Sequence, residues 1–171
     1  MPNAKMFKAL NEQITFEYYS SYMYLSMSAF FADLGLPGCS HWMRLQADEE
    51  LLHAHKFFDF LLNRGEKVIL QGIETPPNTW KDALDAFQAT LKHEQLVTSR
   101  INALVELAFT SKDYASHTFL QWFISEQVEE ESTVTNIISQ LKLIKGDGHG
   151  LLLIDRDLGL RQAGTTTDTP A

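Results

Sequence analysis

Apolar side chains recur every three or four residues along four long segments, which is the spacing of helices that pack in a bundle. The spacing predicts helices over about residues 5–33, 40–63, 80–110 and 114–145. Thr79 with Asp82 three residues later is a variant of the capping box and predicts the start of the third helix. A shorter apolar piece, at 151–160, predicts a fifth helix.

The connection between the second and third segments, at 64–78, is the longest stretch without helical spacing and holds two of the five prolines. A long connection after a helical hairpin indicates a chain that crosses along the bundle. No segment shows the alternating pattern of a β-strand. We therefore predict an all-α, up-down-down-up four-helix bundle with a long crossover loop and a short fifth C-terminal helix. Residues 1–161 are expected to form a single domain and 162–171 a disordered tail.

The composition and net charge mainly exclude classes of function. The net charge of −8 disfavours general binding to nucleic acid or to anionic membranes, and it attracts cations. The single cysteine, Cys39, excludes an intramolecular disulfide and a cysteine-rich metal site. The chain begins without an apolar leader and has no segment apolar enough to cross a bilayer, so we expect a cytoplasmic protein.

Each of the four apolar stripes is interrupted near its midpoint by acidic or polar side chains. Midpoints of packed helices align whichever way the helices run, so these groups should gather in one layer of the bundle. The interrupting residues are Glu17, then Glu50 with His53, then Glu94, and finally Gln127 with Glu130.

An apolar core does not tolerate unpaired carboxylates, because each costs several kcal/mol or so to bury. No lysine or arginine lies on these stripes, so either some carboxyl groups are protonated or metal cations occupy the layer. Glu50 and His53 share a helix face and can bind one ion together. Carboxylates with one imidazole favour iron or manganese, while zinc and copper remain possible. A buried polar network without metal is the competing interpretation.

Several neighbours of the layer are further candidates. Tyr24 lies on the same stripe as Glu17. Its hydroxyl would either hydrogen-bond a metal ligand or supply an electron, or Tyr24 is an ordinary core tyrosine. Glu49, Glu126 and Glu129 adjoin the layer and either extend the site or are solvated helix acids. The five histidines other than His53 are expected in surface or capping roles.

Taken together, these motifs resemble those of non-haem bacterial ferritins, and the resemblance covers essentially the whole chain. It rests on the four long helices, the crossover, the fifth helix and a set of side chains: Glu17, Tyr24, Glu49, Glu50, His53, Glu94, Glu126, Gln127, Glu129 and Glu130.

The resemblance implies a first iron bound by Glu17, Glu50 and His53. It implies a second iron bound by Glu94 and Glu130, with Glu50 as the bridge. A bacterioferritin or rubrerythrin would carry a second Glu-x-x-His on the fourth helix, which this chain lacks, so the two metal positions should be unequal.

The resemblance also implies a third iron site at Glu49, Glu126, Glu129 and Glu130. Gln127 matches a residue that hydrogen-bonds beside the second iron. Bacterioferritins place a haem-binding methionine where this chain has Leu51, so no haem is expected.

The implied function is iron storage with ferroxidase activity: Fe(II) is oxidised by dioxygen, and Fe(III) mineral is kept inside a homo-oligomeric cage of 24 subunits. An alternative is an oxidant-defence protein that consumes hydrogen peroxide at a di-iron centre. A structural bundle without metal chemistry is the third hypothesis.

Overall fold

The computed structural model describes residues 4–164, and these form five helices without a strand. The predicted all-α bundle with a short fifth helix is confirmed, and α1 packs along α2 while α3 packs along α4. None of the five helices is long and apolar enough to cross a membrane. The helices are α1 (Ala4–Asp33), α2 (Pro37–Asn63), α3 (Ala83–Thr110), α4 (Tyr114–Leu143) and α5 (Gly148–Leu158).

Two helix starts differ from the sequence-based prediction. Helix α2 begins at Pro37 rather than at residue 40, because a proline in the first turn needs no amide partner and its φ already suits a helix. Helix α3 begins after Asp82, not after Thr79: the Asp82 carboxylate accepts the amide of Asp85 at 2.9 Å. Aspartate and threonine both cap helices, and here the aspartate does so.

Helix α4 ends two residues earlier than predicted. Lys145 and Gly146 both adopt positive φ, at 47° and 81°, which ends the helical path after Leu143. Of the tail predicted to be disordered, residues 162–164 are non-helical and 165–171 lie outside the described residues. The assignment of 1–161 to a single domain stays a prediction.

The buried apolar residues fall into two clusters, one towards each end of the bundle. Met27, Phe31 and Phe87 belong to one cluster, and Leu10, Phe57 and Phe123 belong to the other. The residues between them are buried polar groups from all four long helices, including Gln13, Glu17, Gln46, Glu50, His53, Glu94, Gln127 and Glu130. The polar layer therefore divides the core, as the interrupted stripes predict.

The fifth helix is attached closely to the start of α2. A Cβ added at Gly38 would lie 1.7 Å from the backbone oxygen of Asp155, so only glycine permits this approach. The Asp155 carboxylate also accepts the amide of Cys39 at 2.7 Å. These contacts direct the residues after α5 back along α2, towards the polar layer.

Asn11 on α1 holds the beginning of the crossover. Its side-chain amide donates to the carbonyl of Lys67 at 3.2 Å and its oxygen accepts the amide of Ile69 at 2.7 Å. We expect Asn11→Ala to release this segment and to lower the free energy of unfolding by about 1–3 kcal/mol, since two partly buried backbone groups lose their partner. Hydrogen exchange of residues 66–70 should become faster while exchange in α3 stays unchanged. Equal protection in both proteins would contradict this.

Candidate metal centre

Three side chains from α1 and α2 converge in the polar layer. One ligand atom each from Glu17, Glu50 and His53 lie within 4.8 Å of one another, and all three residues are buried. The distance from His53 Nδ1 to Glu50 Oε2 is 3.3 Å, as expected for residues three apart on one helix face. Two carboxylates and an imidazole at this spacing can bind one metal ion.

A second group joins α2 to α4. Ligand atoms of His53, Glu126 and Glu130 also lie within 4.8 Å of one another, and His53 Nε2 is 4.0 Å from Glu126 Oε1. Gln46 donates its amide to Glu130 Oε2 at 2.8 Å. Because both groups contain His53, they are not two separate and complete sets of ligands.

Glu94 on α3 belongs to neither of these groups among the described residues, although it is fully buried. Its carboxylate accepts hydrogen bonds from the Tyr24 hydroxyl and from the Gln127 amide, the latter at 3.1 Å. Gln127 also donates to the backbone oxygen of Glu94 and to Thr98. The placement of Glu94 at a second metal therefore stays a prediction.

Two carboxylate oxygens of the layer are buried within residues 4–164 and receive a hydrogen bond from no other side chain, unless one of the two carboxyl groups is protonated and donates to the other. They are Oε2 of Glu17 and Oε2 of Glu50, the two carboxylates that converge on His53. Buried carboxylate oxygens are nearly always satisfied by a donor or a cation. The residues present thus fit a metal ion that takes oxygen and nitrogen ligands.

Burial also changes the acidity of the layer. It raises the pKa of Glu17, and the adjacent Glu50 carboxylate raises it further. Burial, then repulsion from Glu94 and Glu130, raises the pKa of Glu50. Burial and the Glu94 charge raise the pKa of Glu130 to about 8. Without metal, some of these groups therefore hold protons at neutral pH, and a bound cation would replace those protons.

The match to known proteins agrees with this site. The sequence model of the Ferritin-like domain matches residues 7–144, which include all four long helices except the first three residues of α1. The chain belongs to the ferritin family. Curated relatives of this ferritin include a probable bacterial non-heme ferritin-like protein of Haemophilus influenzae, 40% identical over 93% of this chain and 96% of the relative. A bacterial non-heme ferritin of Campylobacter jejuni is 41% identical over 91% of this chain and 93% of the relative.

Solved ferritins share the whole fold. The open pore ferritin of the hyperthermophilic archaeon Archaeoglobus fulgidus superimposes with a TM-score of 0.94 at 49% identity, covering 95% of this chain and all of that one. The family model ends at residue 144, whereas this structural match covers 95% of the chain, which is too much to leave out α5 and everything after it. The fifth helix is therefore part of the shared architecture.

The side chains implied at a third iron site are not all brought together. Glu126 approaches His53, whereas Glu129 is exposed and belongs to no ligand group in the described part of the chain. Glu49 forms an ion pair with Arg161, with 2.6 Å between Oε2 and Nη2. Glu49 is thus already paired with a cationic side chain of the protein itself.

The expectation of a surface or capping role for His93 is wrong. His93 is 8% exposed, its Nε2 lies 2.8 Å from the Ser20 hydroxyl, and burial lowers its pKa to about 4. His93 lies on one helix face with the buried Thr90 and Val97, three residues before it and four after it. Sequence reasoning also missed Gln13, which is buried and donates to Glu17 at 2.8 Å.

Proposed function

We propose that this ferritin oxidises Fe(II) with dioxygen at the mid-bundle layer and stores Fe(III) mineral in a hollow cage of 24 subunits. The supporting observation is the convergence of the buried Glu17 and Glu50 carboxylates on His53, with one oxygen of each carboxylate lacking a hydrogen bond. Family membership sets iron storage as the role, and these two oxygens support the mid-bundle layer as the proposed place of oxidation.

The ligands have distinct roles in this proposal. Glu17, Glu50 and His53 bind the first Fe(II), and Glu50 bridges to a second Fe(II) at Glu94 and Glu130. The Tyr24 hydroxyl and the Gln127 amide orient the Glu94 carboxylate through the hydrogen bonds described above. Side chains that hydrogen-bond to a metal ligand without binding the metal commonly fix the orientation of that ligand.

Charge explains why a layer of acids suits the reaction. Each Fe(II) gives up one electron and becomes Fe(III), so the charge at the centre rises during the reaction. Buried carboxylates stabilise that higher charge strongly because little water screens them. The raised pKa of Glu50 and Glu130 means that protons leave as iron arrives.

Further proposals concern a third iron site, the location of the protein, haem and assembly of the cage. We propose that Glu49, Glu126 and Glu129 act with Glu130 as a third, weaker iron site, although Glu49 must first leave its arginine. The protein is further proposed to be cytoplasmic and to bind no haem. The similar archaeal protein is described as an open pore ferritin, and we propose cage assembly for this chain as well.

Two measurements on purified protein test the function. The assembly mass should be about twenty-four times the subunit mass of 19.4 kDa. Anaerobic protein loaded with two Fe(II) per subunit should then oxidise them rapidly when oxygen is added, with a rate that saturates at that loading. An oxygen electrode should record one dioxygen consumed per two Fe(II) if hydrogen peroxide is the product, and one per four if water is.

A parallel experiment with hydrogen peroxide in place of dioxygen distinguishes the alternative. Faster single-turnover oxidation by dioxygen than by peroxide supports storage with ferroxidase activity. Much faster oxidation by peroxide would favour the oxidant-defence hypothesis. A small assembly that does not react with Fe(II) would overturn the proposal.

A further inference from the structure

Two arginines approach the polar layer without entering it, and each contacts a buried glutamine. Arg100 on α3 donates from Nε to Gln13 Oε1 at 2.9 Å. Arg161, just after α5, donates from Nη1 to Gln46 Oε1, also at 2.9 Å. Gln13 and Gln46 are both almost completely buried, so neither amide has water as an alternative partner.

The other end of each amide faces a carboxylate of the proposed iron centre. Gln13 donates from Nε2 to Glu17 Oε1, and Gln46 donates from Nε2 to Glu130 Oε2, both at 2.8 Å. The same order of guanidinium, amide and carboxylate therefore occurs twice. One chain ends at a ligand of the first iron and the other at a ligand of the second.

The guanidinium determines which way each amide points. The oxygen and nitrogen of a glutamine amide have similar size, so an amide can turn over and exchange them. Arginine only donates, so only the amide oxygen can face it favourably. The nitrogen must then face the carboxylate and donate to it. Without the arginine, a turned amide would present its oxygen to the carboxylate, which repels it.

Each arginine is held in place by an aromatic ring on the helix that carries its glutamine. Arg100 Cζ lies 4.2 Å from the ring centre of Phe16, and Arg161 Cζ lies 4.6 Å from that of Trp42. Phe16 follows Gln13 by three residues, and Trp42 precedes Gln46 by four, so ring and amide share a helix face. A guanidinium over a ring can still direct its N–H groups sideways to the amide, which the compact ammonium of lysine does less well.

We propose that Arg100 and Arg161 are positioning residues for the iron centre. Arg100 orients Gln13 and so holds Glu17 for the first iron, while Arg161 orients Gln46 and so holds Glu130 for the second. Neither arginine binds metal. The proposal rests on the proposed function, which assigns the ligand roles of Glu17 and Glu130.

Calorimetric titration of the assembled, metal-free protein with Co(II) tests this, because Co(II) binding requires no oxidation. Glu17→Ala and Glu94→Ala assign the first and second binding steps, because Glu17 belongs only to the group at the first iron. Arg100→Gln should weaken the first step about tenfold and leave the second unchanged, and Arg161→Gln should do the reverse. The visible Co(II) absorption bands should change for the same site only. Arg44→Gln, an exposed position with the same change of charge, should alter neither step.

Further variants separate orientation from charge. Lysine also only donates, but its ammonium lacks the planar group that donates to Gln13 while lying over the Phe16 ring, so Arg100→Lys should weaken the first step as Arg100→Gln does. In a Gln13→Leu background, Arg100→Gln should cause no additional loss. Since Arg161 also pairs with Glu49, its variant is measured again in a Glu49→Gln background, where the loss at the second step should persist.

Equal weakening of both steps by either arginine variant would overturn the proposal, as would full affinity in Arg100→Lys. Additive losses in the Gln13→Leu background would overturn it too, because they would indicate direct electrostatic action. A wild-type protein that binds no Co(II) in the layer would instead overturn the proposed function, and with it this inference. The two failures are therefore distinguishable.

Discussion

Replacing Glu50 by alanine should slow rapid Fe(II) oxidation by more than about 100-fold. Replacing a residue that only contacts a metal ligand already lowers metal affinity or activity by about 10–100-fold. Glu50 is the carboxylate proposed to bridge both irons, and it is 1% exposed. His53→Ala should have a similar effect. Stopped-flow absorbance after anaerobic Fe(II)-loaded protein is mixed with oxygen measures the fast phase directly.

The matched control for this experiment is Asp48→Ala, an exposed acid on the same helix. It removes the same charge and should leave the fast phase unchanged. Assembly mass and melting temperature are measured for all three variants, because Glu50→Ala and His53→Ala each remove one partner of the buried Glu50–His53 pair and only a correctly assembled variant tests the site. Wild-type kinetics in both Glu50→Ala and His53→Ala would show that oxidation occurs elsewhere.

The metal-free protein should become less stable as the pH rises from about 5 to 8. An unfolded glutamate has a pKa of about 4.3, whereas folding raises the pKa of Glu130 to about 8 and also raises that of Glu17, Glu50 and Glu94. Between these values the folded state holds more protons on these four carboxyl groups than the unfolded state does. This outweighs the opposing effect of His93, whose pKa is lowered to about 4, so the free energy of unfolding falls with pH. For Glu130 alone the loss is on the order of several kcal/mol.

Melting temperatures of metal-free protein across this pH range test the sign. Glu130→Gln should raise the melting temperature at pH 8 and flatten its pH dependence, whereas Glu106→Gln, at an exposed position on α3, should do neither. Zn(II) should stabilise the protein more at pH 8 than at pH 5.5, because fewer protons must then be displaced. A melting temperature that rises steadily between pH 5 and 8 would contradict this account.

Helical periodicity was sufficient to predict the bundle because its helices are long and each has one apolar face. The position of the polar layer followed from the same stripes, since Glu17, Glu50, Glu94 and Glu130 interrupt them near the middle. That these four residues bind iron stays a prediction.

Local patterns could not predict the contacts that connect distant parts of the chain. Arg161 and Glu49 are 112 residues apart, and Arg100 and Gln13 are 87 apart. Neither arginine lies on an apolar stripe, so the stripes alone predicted a polar layer with no cationic side chain nearby. His93 was misjudged for a related reason: its burial depends on Ser20 and on rings from another helix.

The attachment of α5 to α2 has a practical consequence for redesign of the C-terminus. A shortened protein ending at residue 160 would keep all five helices and still lose Arg161, the partner of Gln46 and Glu49. A Cβ added at Gly164 would lie 3.2 Å from Glu49 Oε1, so the chain stays close to α2 up to that residue. Peptides or cargo proteins fused to this ferritin should therefore be joined beyond Gly164, through a linker long enough to leave residues 159–164 undisturbed.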